Sequence, residues 1–563
     1  MNTNLAKQTN RNTTQLFLLL LFAGLLATYI FALFVPLMDS DSAHHANIAL
    51  HMVLTGDYVS LIDKGKPYLD KPHLLFWTSA ASFNLFGINA FAYKLPSFLF
   101  TLLGLYSTFR LGSGLYDRKT GWLATAILAT SFAFILANSD VRMDAMLTAA
   151  MIFTAWQAWG YYQKRSWSYL IGTALGLSLG FMTKGMIGPA VPVFAFLFYL
   201  LEKQDWRFFL EYKVYFSIPL FFLFSSPVLY AYYLQFDLNP DLLIRGRENI
   251  SGIKFILWDQ NFERFDGETW GGDRSKDYLF FLHTILWAFL PWSILFYFGI
   301  FKGLRTKFLK HTNLDWMTMG TLIFLLGIYS FAGFKLPHYL NTLFPFMAIL
   351  TAAALIRFDV PTSLRNTQYI VLALIIMLVL IINVYAFPGW TTIIPTLFGI
   401  LYFIFWKKTE KRWAAMITLS LAVGVVFNMM MQINFYPQLL TYQGGTALAK
   451  EADRIGLEKE QTYFFEMHSY SFDFQRKHLH ERLNFEEILE RVAAGPLYLY
   501  VNPDGFNFLQ SQSNLQIETL AEKGAFHVSR LKGRFLNPST REEALTPNYL
   551  IEVRSSGPLL ARQ

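Results

Sequence analysis

The sequence predicts an α-helical protein with many membrane-spanning helices, followed by a small soluble α/β domain. Hydrophobic residues make up 54% of the 563 residues and charged residues only 15%, whereas soluble domains contain about 25% charged residues. Apolar stretches long enough to cross a bilayer recur between residues 15 and 433. From about residue 434 charged side chains become frequent and short strand-like runs appear. We therefore predict a membrane domain at residues 1–433 and a soluble domain at 434–563.

About thirteen segments have the length and apolar content of transmembrane helices. They lie near residues 15–38, 91–113, 119–137, 143–162, 167–182, 185–201, 213–234, 278–301, 316–333, 338–357, 368–387, 390–406 and 412–433. Polar residues 1–14 precede the first segment, as in a signal peptide, but no small-residue cleavage site follows. We expect this segment to be retained as the first helix.

The basic residues predict the orientation in the membrane. With a cytoplasmic N-terminus, every cluster of two or more basic residues falls in a cytoplasmic connection, as the positive-inside rule requires. These clusters are Arg118 with Lys119, Lys164 with Arg165, Lys203 with Arg207, the group within 302–310, Arg357 with Arg365, and the group within 407–412. The long loops at about 39–90 and 235–277 and the C-terminal domain are then predicted to face outside.

Composition and motifs disfavour several classes of protein. The net charge of +8 comes from basic clusters between apolar segments, not from a stripe typical of nucleic-acid binding. The absence of cysteine excludes disulfides, thiolate metal sites and a cysteine nucleophile. No P-loop, GxGxxG or HExxH motif occurs, which disfavours soluble nucleotide chemistry. The apolar segments also lack the paired interruptions typical of inverted-repeat transporters.

Residues 434–563 read as a mixed α/β domain without a catalytic motif. Strand-like runs lie at 462–467, 496–501 and 549–553, and a helical pattern lies at 485–494. The sequence Asn-Pro-Asp-Gly at 502–505 predicts a turn between two of these elements.

Ionisable residues gather on the predicted outer side, where charge asymmetry alone would not place them. A charge at membrane depth costs roughly 2.5–3.5 kcal/mol by insertion scales, so such residues usually mark a functional site. The residues concerned are Asp39, Asp41, Asp70, Lys71, Asp140, Arg142, Asp144, Lys184, Arg264, Lys335, His338 and Tyr339. Asp140 and Asp144 are four apart and would share a helix face if the fourth helix began early.

Each of these residues also has a structural interpretation. A lysine at a helix end often extends to the lipid headgroups, and Asp140 or Asp144 is a possible helix N-cap. His338 follows a proline and is compatible with a simple loop. His44, His45 and His73 show no spacing diagnostic of a metal site, and we expect them to be bystanders. Only the joint occurrence of cations at three separate turns with acidic positions favours a common pocket.

The residue types in this set favour one chemistry. Lysine and arginine without an obvious metal cage suit a phosphate group. A neighbouring carboxylate serves as general base toward an acceptor hydroxyl or amine. Glycosyl transfer from a polyprenyl phosphate sugar uses both parts, because the cations stabilise the departing phosphate.

Several motifs carry a resemblance to a known family. They are DSAHHANIALHMVLTGDY at 41–58, YLDKP at 68–72, MTKG at 182–185, Arg264-Phe265, LPW at 290–292, and KLP at 335–337 followed by Tyr339. In order and spacing they resemble the integral-membrane glycosyltransferases with protein O-mannosyltransferase-like folds. The bacterial branch that transfers 4-amino-4-deoxy-L-arabinose to lipid A is the most similar. The resemblance covers the first ten helices and weakens after about residue 357.

The resemblance implies a GT-C fold with a donor cavity at the outer face, and inverting transfer from an undecaprenyl phosphate sugar. It implies roles for individual residues: Asp41 as the catalytic acid of the first loop, Lys71 as a phosphate ligand, and Asp144 as an acidic site residue, which we predict to be catalytic as well. Lys184, Arg264 and Tyr339 match donor-site positions. Asp41 fits better than Asp39 because the count back from Gly56-Asp57 places it in register. We add Lys335 and His338, from the same outer-side set, as substrate-binding candidates.

Three positions depart from the family pattern. Ser42 stands where the family has a glutamate, Asn261 where it has a histidine, and Asp70 where it has another glutamate. In the aminoarabinose enzymes the last two positions form a metal site. We therefore expect neither a bound metal nor another cofactor.

The predicted protein is a multi-pass enzyme of the bacterial inner membrane. It is expected to move a sugar from an undecaprenyl phosphate carrier to lipid A or another envelope glycan, in contact with membrane lipids and without nucleic acid. A secreted protein is the alternative acceptor. A transporter or flippase for a lipid-linked anion would use the same cations without needing Asp41 as a base, and a structural assembly protein would explain none of the outer-side charges.

Overall fold

The computed structural model describes residues 2–260, 263, 277–308, 314–406 and 412–556. Ten helices lie in the first part of the chain: α1 Asn2–Phe34, α2 Asp41–Thr55, α3 Leu74–Phe86, α4 Ala90–Leu115, α5 Arg118–Thr130, α6 Phe132–Ser139, α7 Asp144–Lys164, α8 Trp167–Lys184, α9 Ile187–Lys203 and α10 Ser217–Tyr232. Further apolar helices follow at Phe280–Ala288, Ser293–Phe308, Trp316–Phe331, Phe344–Arg357, Thr362–Leu380, Ile393–Trp406 and Arg412–Met430. The predicted helical membrane protein is thus confirmed in outline.

Judged by helix length and hydropathy together, the described part of the structure contains fewer membrane-spanning helices than the sequence predicts. Five helical stretches of the described residues are long and apolar enough to cross a membrane, or six if the bent pair α5 and α6 forms one span. The five are Gln15–Phe34, Tyr212–Asp237, Pro337–Arg357, Thr362–Ala386 and Ala414–Tyr442. The other predicted segments are helical but shorter, broken or richer in polar residues. The segment at 278–301, for example, is interrupted around Pro291.

The first loop contains two helices that the sequence analysis does not predict. Residues 41–55 and 74–86, assigned there to a loop, fold as α2 and α3. Between them Ile62–Asp63 (β1) and Lys66–Pro67 (β2) form a small antiparallel hairpin. Ionisable residues in α2 disguise its helical pattern, and its buried face packs on α3 and on the C-terminal helix Tyr470–Arg476. The helix places Asp41 at its first turn.

A close contact between α8 and α9 fixes the turn that carries Lys184. The backbones of Gly180 and Gly188 approach so closely that a Cβ on Gly188 would lie 2.2 Å from the carbonyl carbon of Gly180. Gly185 follows Lys184 with φ +71°, a conformation that favours glycine. The short turn therefore keeps Lys184 at the helix end, beside the first residues of α7.

The C-terminal part is a mixed four-stranded sheet with helices packed on it. The strands are β3 Thr462–Phe465, β4 Leu497–Val501, β5 Leu515–Ala525 and β6 Thr546–Ser555, in the order β3-β4-β6-β5. β3 and β4 are parallel, and β6 pairs antiparallel with β4 and β5. The accompanying helices are Gly444–Arg454, Tyr470–Arg476, Phe485–Val492 and Pro503–Gln510.

Two details of this sheet differ from the sequence analysis. The long strand β5 is absent from the predicted elements because its buried and exposed residues alternate irregularly around a bulge near Ala521. The predicted turn at 502–505 is instead a helix start. The Asn502 side chain accepts a hydrogen bond from the Gly505 amide at 2.8 Å, and Pro503 occupies the first helical position.

Hydrogen bonds join the C-terminal domain to the segment between α1 and α2. The Ser471 amide donates to Asp39 Oδ1 at 3.0 Å, and the Ser471 hydroxyl donates to the other carboxylate oxygen. The Asp39 amide donates to Gln443 Oε1 at 2.8 Å, and Ser529 Oγ donates to the Asp39 carbonyl at 2.9 Å. Asp39 is thus a structural latch between domains and not part of the charged cavity described below.

Candidate active site

A cavity of about 270 Å³ lies where α2, the α6–α7 connection, the α8–α9 turn and the segment around residue 338 meet. Its walls are formed by Asp41, His44, His45, Tyr68, Asp70, Lys71, Arg142, Met143, Asp144, Lys184, Phe334, Leu336, His338 and Tyr339. Most of the residues predicted to form the site therefore share one enclosure, although they come from five separate parts of the chain.

The open end of the cavity is built around Asp41. This carboxylate is 46% exposed, and its Oδ2 lies 2.8 Å from an Nη of Arg142. Arg142 also holds Asp140 Oδ2 through two contacts, of 2.6 and 3.0 Å. Asp41 occupies the first turn of α2. A solvent-accessible carboxylate at a cavity mouth is suited to accept a proton from a substrate.

The closed end of the cavity contains a buried ion pair. Lys184 Nζ donates to Asp144 Oδ1 at 2.9 Å, and the two side chains are only 8% and 3% exposed. His338 Nε2 lies 3.9 Å from the other Asp144 oxygen, and Lys184 lies 5.0 Å from the Tyr339 ring centroid. Asp144 starts α7 without acting as its N-cap. Its carboxylate holds Lys184 in place beside the cavity.

The expected shared helix face of Asp140 and Asp144 is not observed. α7 begins at Asp144, so Asp140 belongs to the preceding connection. The two acids are linked through Arg142, which bonds Asp140 and also donates toward His338 Nδ1 at 3.2 Å. Arg142 thus contacts Asp41 at the open end of the cavity and His338 at the closed end.

Lys71 reaches the cavity from the loop that follows the β1–β2 hairpin. Tyr232 donates its hydroxyl to the Leu69 carbonyl at 3.1 Å, and Gln260 Nε2 donates to the Asp70 carbonyl at 2.6 Å. The Asp70 carboxylate forms an ion pair with Arg245. These contacts fix the backbone immediately before Lys71.

Two predicted residues do not contribute to the described cavity. Lys335 turns away from it: its Nζ donates to the Asp277 carbonyl at 3.0 Å and lies 5.4 Å from the Tyr278 ring centroid. Its neighbours Phe334 and Leu336 line the cavity instead. Arg264 and the departing position Asn261 lie outside the described residues.

The histidines of the first loop do not all behave as expected. His44 and His45 line the cavity and are not bystanders, whereas His73 is buried away from it and bonds to the Val59 carbonyl at 2.8 Å. Sequence reasoning also misses Tyr68 in the wall and Arg245 as the partner of Asp70. Arg245 is one of several charges in its loop, and no local pattern distinguishes it from the others.

An apolar groove adjoins the closed end. It has a volume of about 240 Å³ and shares Lys184, Phe334 and Tyr339 with the charged cavity. Its remaining walls come from Leu147, Ile187, Gln260, Ile328, Tyr329, Ala332 and Thr342. A ligand with an anionic head and a hydrocarbon tail would have surfaces for both parts at this boundary.

The described part of the chain contains no group of three or more histidine or carboxylate side chains arranged to hold a metal ion. The carboxylates of the cavity are instead bonded to basic side chains: Asp41 to Arg142, Asp144 to Lys184 and Asp70 to Arg245. The cavity walls thus present basic side chains and the partly exposed Asp41 carboxylate to a ligand.

The helical bundle thus combines a charged cavity with an adjoining apolar groove and carries a mixed sheet domain at its C-terminal end. Residues 70–231 match the dolichyl-phosphate-mannose-protein mannosyltransferase family. This match bears out the predicted family resemblance over that part of the chain.

Curated relatives cover the same part of the chain. The undecaprenyl phosphate-alpha-4-amino-4-deoxy-L-arabinose arabinosyl transferase of Pseudomonas aeruginosa strain PAO1 is 28% identical over 327 residues, which are 56% of this chain and 55% of that protein. The transferase of the same name from Edwardsiella ictaluri is 26% identical over 326 residues, with 56% and 55% covered. The chain thus spans about half the length of the curated relatives it matches.

The likeness in structure extends further than the likeness in sequence. The crystal structure of ArnT from Cupriavidus metallidurans bound to undecaprenyl phosphate superposes with a TM-score of 0.74, at 15% identity, over 98% of this chain and all of that one. The apo form of the same protein gives 0.71 at 16% identity, with 96% and 98% covered. At this identity the match shows the fold, and it includes the region beyond residue 357.

Proposed function

We propose that this protein is a glycosyltransferase that moves a sugar from a polyprenyl phosphate donor to a cell-envelope acceptor. The observation that carries the proposal is the junction of the charged cavity with the apolar groove at Lys184 and Tyr339. The groove suits the hydrocarbon chain of the donor, and the cavity suits its phosphate and sugar. The activity for which the relatives are named, and the undecaprenyl phosphate bound to the similar fold, support this donor class.

The proposed roles at the phosphate follow from position and charge. Lys184 lies at the boundary of cavity and groove, where the phosphate of a lipid-linked sugar would lie. Lys71 and Arg142 supply further positive charge from the facing walls. As the bond between the anomeric carbon and the phosphate oxygen breaks, negative charge grows on the phosphate, and fixed cations stabilise that transition state.

Asp41 is the proposed general base. It takes the proton of an acceptor hydroxyl or amine while the acceptor atom bonds to the anomeric carbon from the face opposite the phosphate. The phosphate leaves with the bonding electron pair, so the configuration at that carbon inverts. Asp41 fits this role better than Asp144 because it is 46% exposed, whereas Asp144 is 3% exposed and bonded to Lys184. Asp144 is proposed to position Lys184.

The finer features of the prediction are part of the proposal. Lipid A or another envelope glycan is the proposed acceptor, and a secreted protein is the alternative. The protein is proposed to lie in the bacterial inner membrane with about thirteen spans, a cytoplasmic N-terminus and residues 434–563 in the periplasm. The basic clusters 164–165 and 203–207 lie at the ends of helices opposite the charged cavity, which supports this orientation.

The test is donor turnover by the purified protein in lipid nanodiscs, with a radiolabelled undecaprenyl phosphate sugar. Asp41→Asn is expected to lower kcat by at least about a hundredfold, since general base catalysis contributes roughly 10²–10⁴. Lys71→Ala is expected to abolish detectable turnover. Asp241→Asn and Lys254→Ala, at exposed residues outside the cavity, serve as matched controls.

Two outcomes would contradict the proposal. Turnover that persists in both Asp41→Asn and Lys71→Ala would exclude the proposed mechanism. Movement of the lipid-linked sugar across the bilayer of proteoliposomes without bond cleavage would show a flippase instead. Mass spectrometry of lipid A from a deletion strain then tests the acceptor, and an unchanged profile under inducing conditions would point to another acceptor.

A further inference from the structure

A second cavity, which we call the junction cleft, lies between the first loop and the C-terminal domain. Its volume is about 780 Å³, and it is lined by Asn47, His51, residues 62–68, His468, Tyr470, Asp473 and residues 479–482. Tyr68 lines both this cleft and the charged cavity, so the two spaces are neighbours. The cleft is separate from the apolar groove and approaches the cavity from the side of the sheet domain.

The acidic residues of the junction cleft are already engaged by the protein. Asp63 accepts a hydrogen bond from the Tyr470 hydroxyl at 3.1 Å and lies 3.2 Å from His44 Nε2. Asp473 contacts two histidines, and Glu481 lies 2.7 Å from Arg491. Each of these carboxylates is therefore engaged in a hydrogen bond or an ion pair within the protein.

The lysines of the cleft are differently placed. Lys64 Nζ lies 4.5 Å from the Tyr470 ring centroid, and Lys66 is exposed on the neighbouring strand of the hairpin. No ion pair of either lysine with a carboxylate is found within 4.0 Å in the described parts of the chain. The two ammonium groups leave the cleft with a positive rim.

The walls also hold buried polar atoms without a hydrogen-bond partner among the described residues. They are Asn47 Oδ1, His51 Nδ1, His468 Nδ1 and His480 Nε2. Buried polar atoms in native proteins are nearly always satisfied, so each such atom calls for a water or a ligand. Their coincidence at one cleft indicates a site for a molecule rich in hydroxyl groups.

Asp473 fixes two of these histidines. Its carboxylate lies 3.1 Å from His468 Nε2 and 2.7 Å from His480 Nδ1, which leaves the other nitrogen of each ring for a further bond. Burial lowers the pKa of His468 to about 4, so its ring is neutral near pH 7. A neutral, oriented imidazole is suited to a hydroxyl partner.

We propose that the junction cleft binds the acceptor, and that this acceptor is an anionic saccharide. The lysines of the rim recognise its charge, the buried polar atoms its hydroxyl groups, and Tyr68 marks the passage toward Asp41. The inference rests on the proposed function, since it assigns the second substrate of the same reaction. It also gives the C-terminal domain a part in substrate binding.

The experiment measures binding of soluble probes to the full-length protein in nanodiscs of uncharged lipid, by saturation-transfer NMR. The probes are glucosamine 6-phosphate, glucuronate and uncharged N-acetylglucosamine. The two anionic sugars are expected to bind at least about tenfold more tightly than the neutral one. The tighter of the two shows whether the cleft prefers a phosphate or a carboxylate. Lys64→Glu combined with Lys66→Glu is expected to weaken their binding at least about tenfold, a change of about 1.4 kcal/mol.

Three control variants locate the site. Lys450→Glu combined with Lys532→Glu changes two exposed lysines of the C-terminal domain outside the cleft and is expected to leave binding unchanged. Lys71→Ala is expected to leave it unchanged as well, because that lysine belongs to the charged cavity. His51→Ala is expected to weaken binding of all three sugars, because it removes one of the buried polar groups of the wall.

Equal binding of the neutral and anionic sugars would overturn the proposal, as would unchanged binding in the double charge reversal. Donor hydrolysis distinguishes these failures from a failure of the proposed function. If the wild type and the charge-reversal variant both cleave the donor while neither binds the probes, the glycosyltransferase stands and the acceptor site lies elsewhere. Absence of donor cleavage in the wild type would reject the proposed function itself.

Discussion

The two ends of the charged cavity use the same chemical pair in opposite ways. At the open end an aspartate at a helix start, Asp41, meets Arg142 and remains 46% exposed. At the closed end an aspartate at another helix start, Asp144, meets Lys184, and both are nearly inaccessible. Burial separates their roles: an exposed carboxylate remains available to a substrate proton, whereas a buried one is committed to its counter-charge.

The largest effect is expected from breaking the closed end. Asp144→Asn or Lys184→Met leaves one buried charge uncompensated and should destabilise the protein by about 3–5 kcal/mol. The double variant Asp144→Asn/Lys184→Met should recover most of this stability but not donor turnover. Thermal unfolding in detergent and donor cleavage provide the two readouts.

The matched control for this prediction is a more exposed ion pair outside the cavity. Arg357 lies 3.3 Å from Asp117, whose side chain is 45% exposed. Asp117→Asn should change stability by less than about 1 kcal/mol. If the buried pair proved no more sensitive than this exposed pair, the contrast between the two ends of the cavity would be lost.

A smaller effect is expected at the support of the open end. Asp39→Asn weakens the hydrogen bonds from Ser471 that tie the C-terminal domain to the segment before α2. A hydrogen bond to a charged group is worth about 1.5–3 kcal/mol. Its weakening should loosen the segment that leads into α2 and so displace Asp41. We expect kcat for transfer to fall about fivefold to tenfold with little change in the donor KM.

Ser511→Ala is the control for the latch, because this exposed serine of the same domain bonds only locally, to the Phe508 carbonyl. Steady-state kinetics on both variants make the comparison. An Asp39→Asn protein with wild-type kcat would show that the C-terminal domain does not position the open end.

The next prediction concerns pH and the loop that carries Lys71. Burial lowers the pKa of His73 to about 4, compared with about 6.5 in an unfolded chain. Between these values the unfolded state binds a proton that the folded state does not, so stability is present above pH 6.5 and is lost as pH falls toward 4. The unfolding temperature should fall across this window, and His73→Gln should reduce the fall. An identical slope in both proteins would contradict the assignment.

The smallest effect is expected from Lys335→Ala. This lysine points away from the cavity and donates to the Asp277 carbonyl. We expect kcat and the donor KM to change by less than about twofold, because this lysine does not line the cavity and so makes no contact with the proposed donor site. Lys71→Ala, in the cavity wall, is the contrasting variant, and equal losses in the two would place Lys335 at the substrate after all.

Much of the site was predictable from sequence because its residues lie where apolar segments end. Asp41, Lys71, Asp144, Lys184 and Tyr339 do share one cavity. Their roles remain proposals, but their convergence follows from the helix order, since alternate helix ends meet at the same membrane face. Charges that are costly at that depth are visible without any structure.

Other features depend on contacts between distant parts of the chain. The Asp39–Ser471 latch joins residues 432 positions apart, and the Asp70–Arg245 pair joins the first loop to a later one. The direction of Lys335 likewise depends on the position of Asp277. None of these pairings has a local sequence pattern, because each partner is chosen by packing.

The sequence by itself determined that the protein is a polytopic helical membrane protein. It also determined most strands of the C-terminal sheet and the set of charges at one end of the helices. These follow from hydropathy and periodicity, which act within a single segment. The tertiary structure alone decided that the first loop folds into α2 and α3, that Asp41 is exposed while Asp144 is buried, and that a cleft opens beneath the sheet domain. Exposure and enclosure depend on what packs against a residue, and that information lies in the rest of the chain.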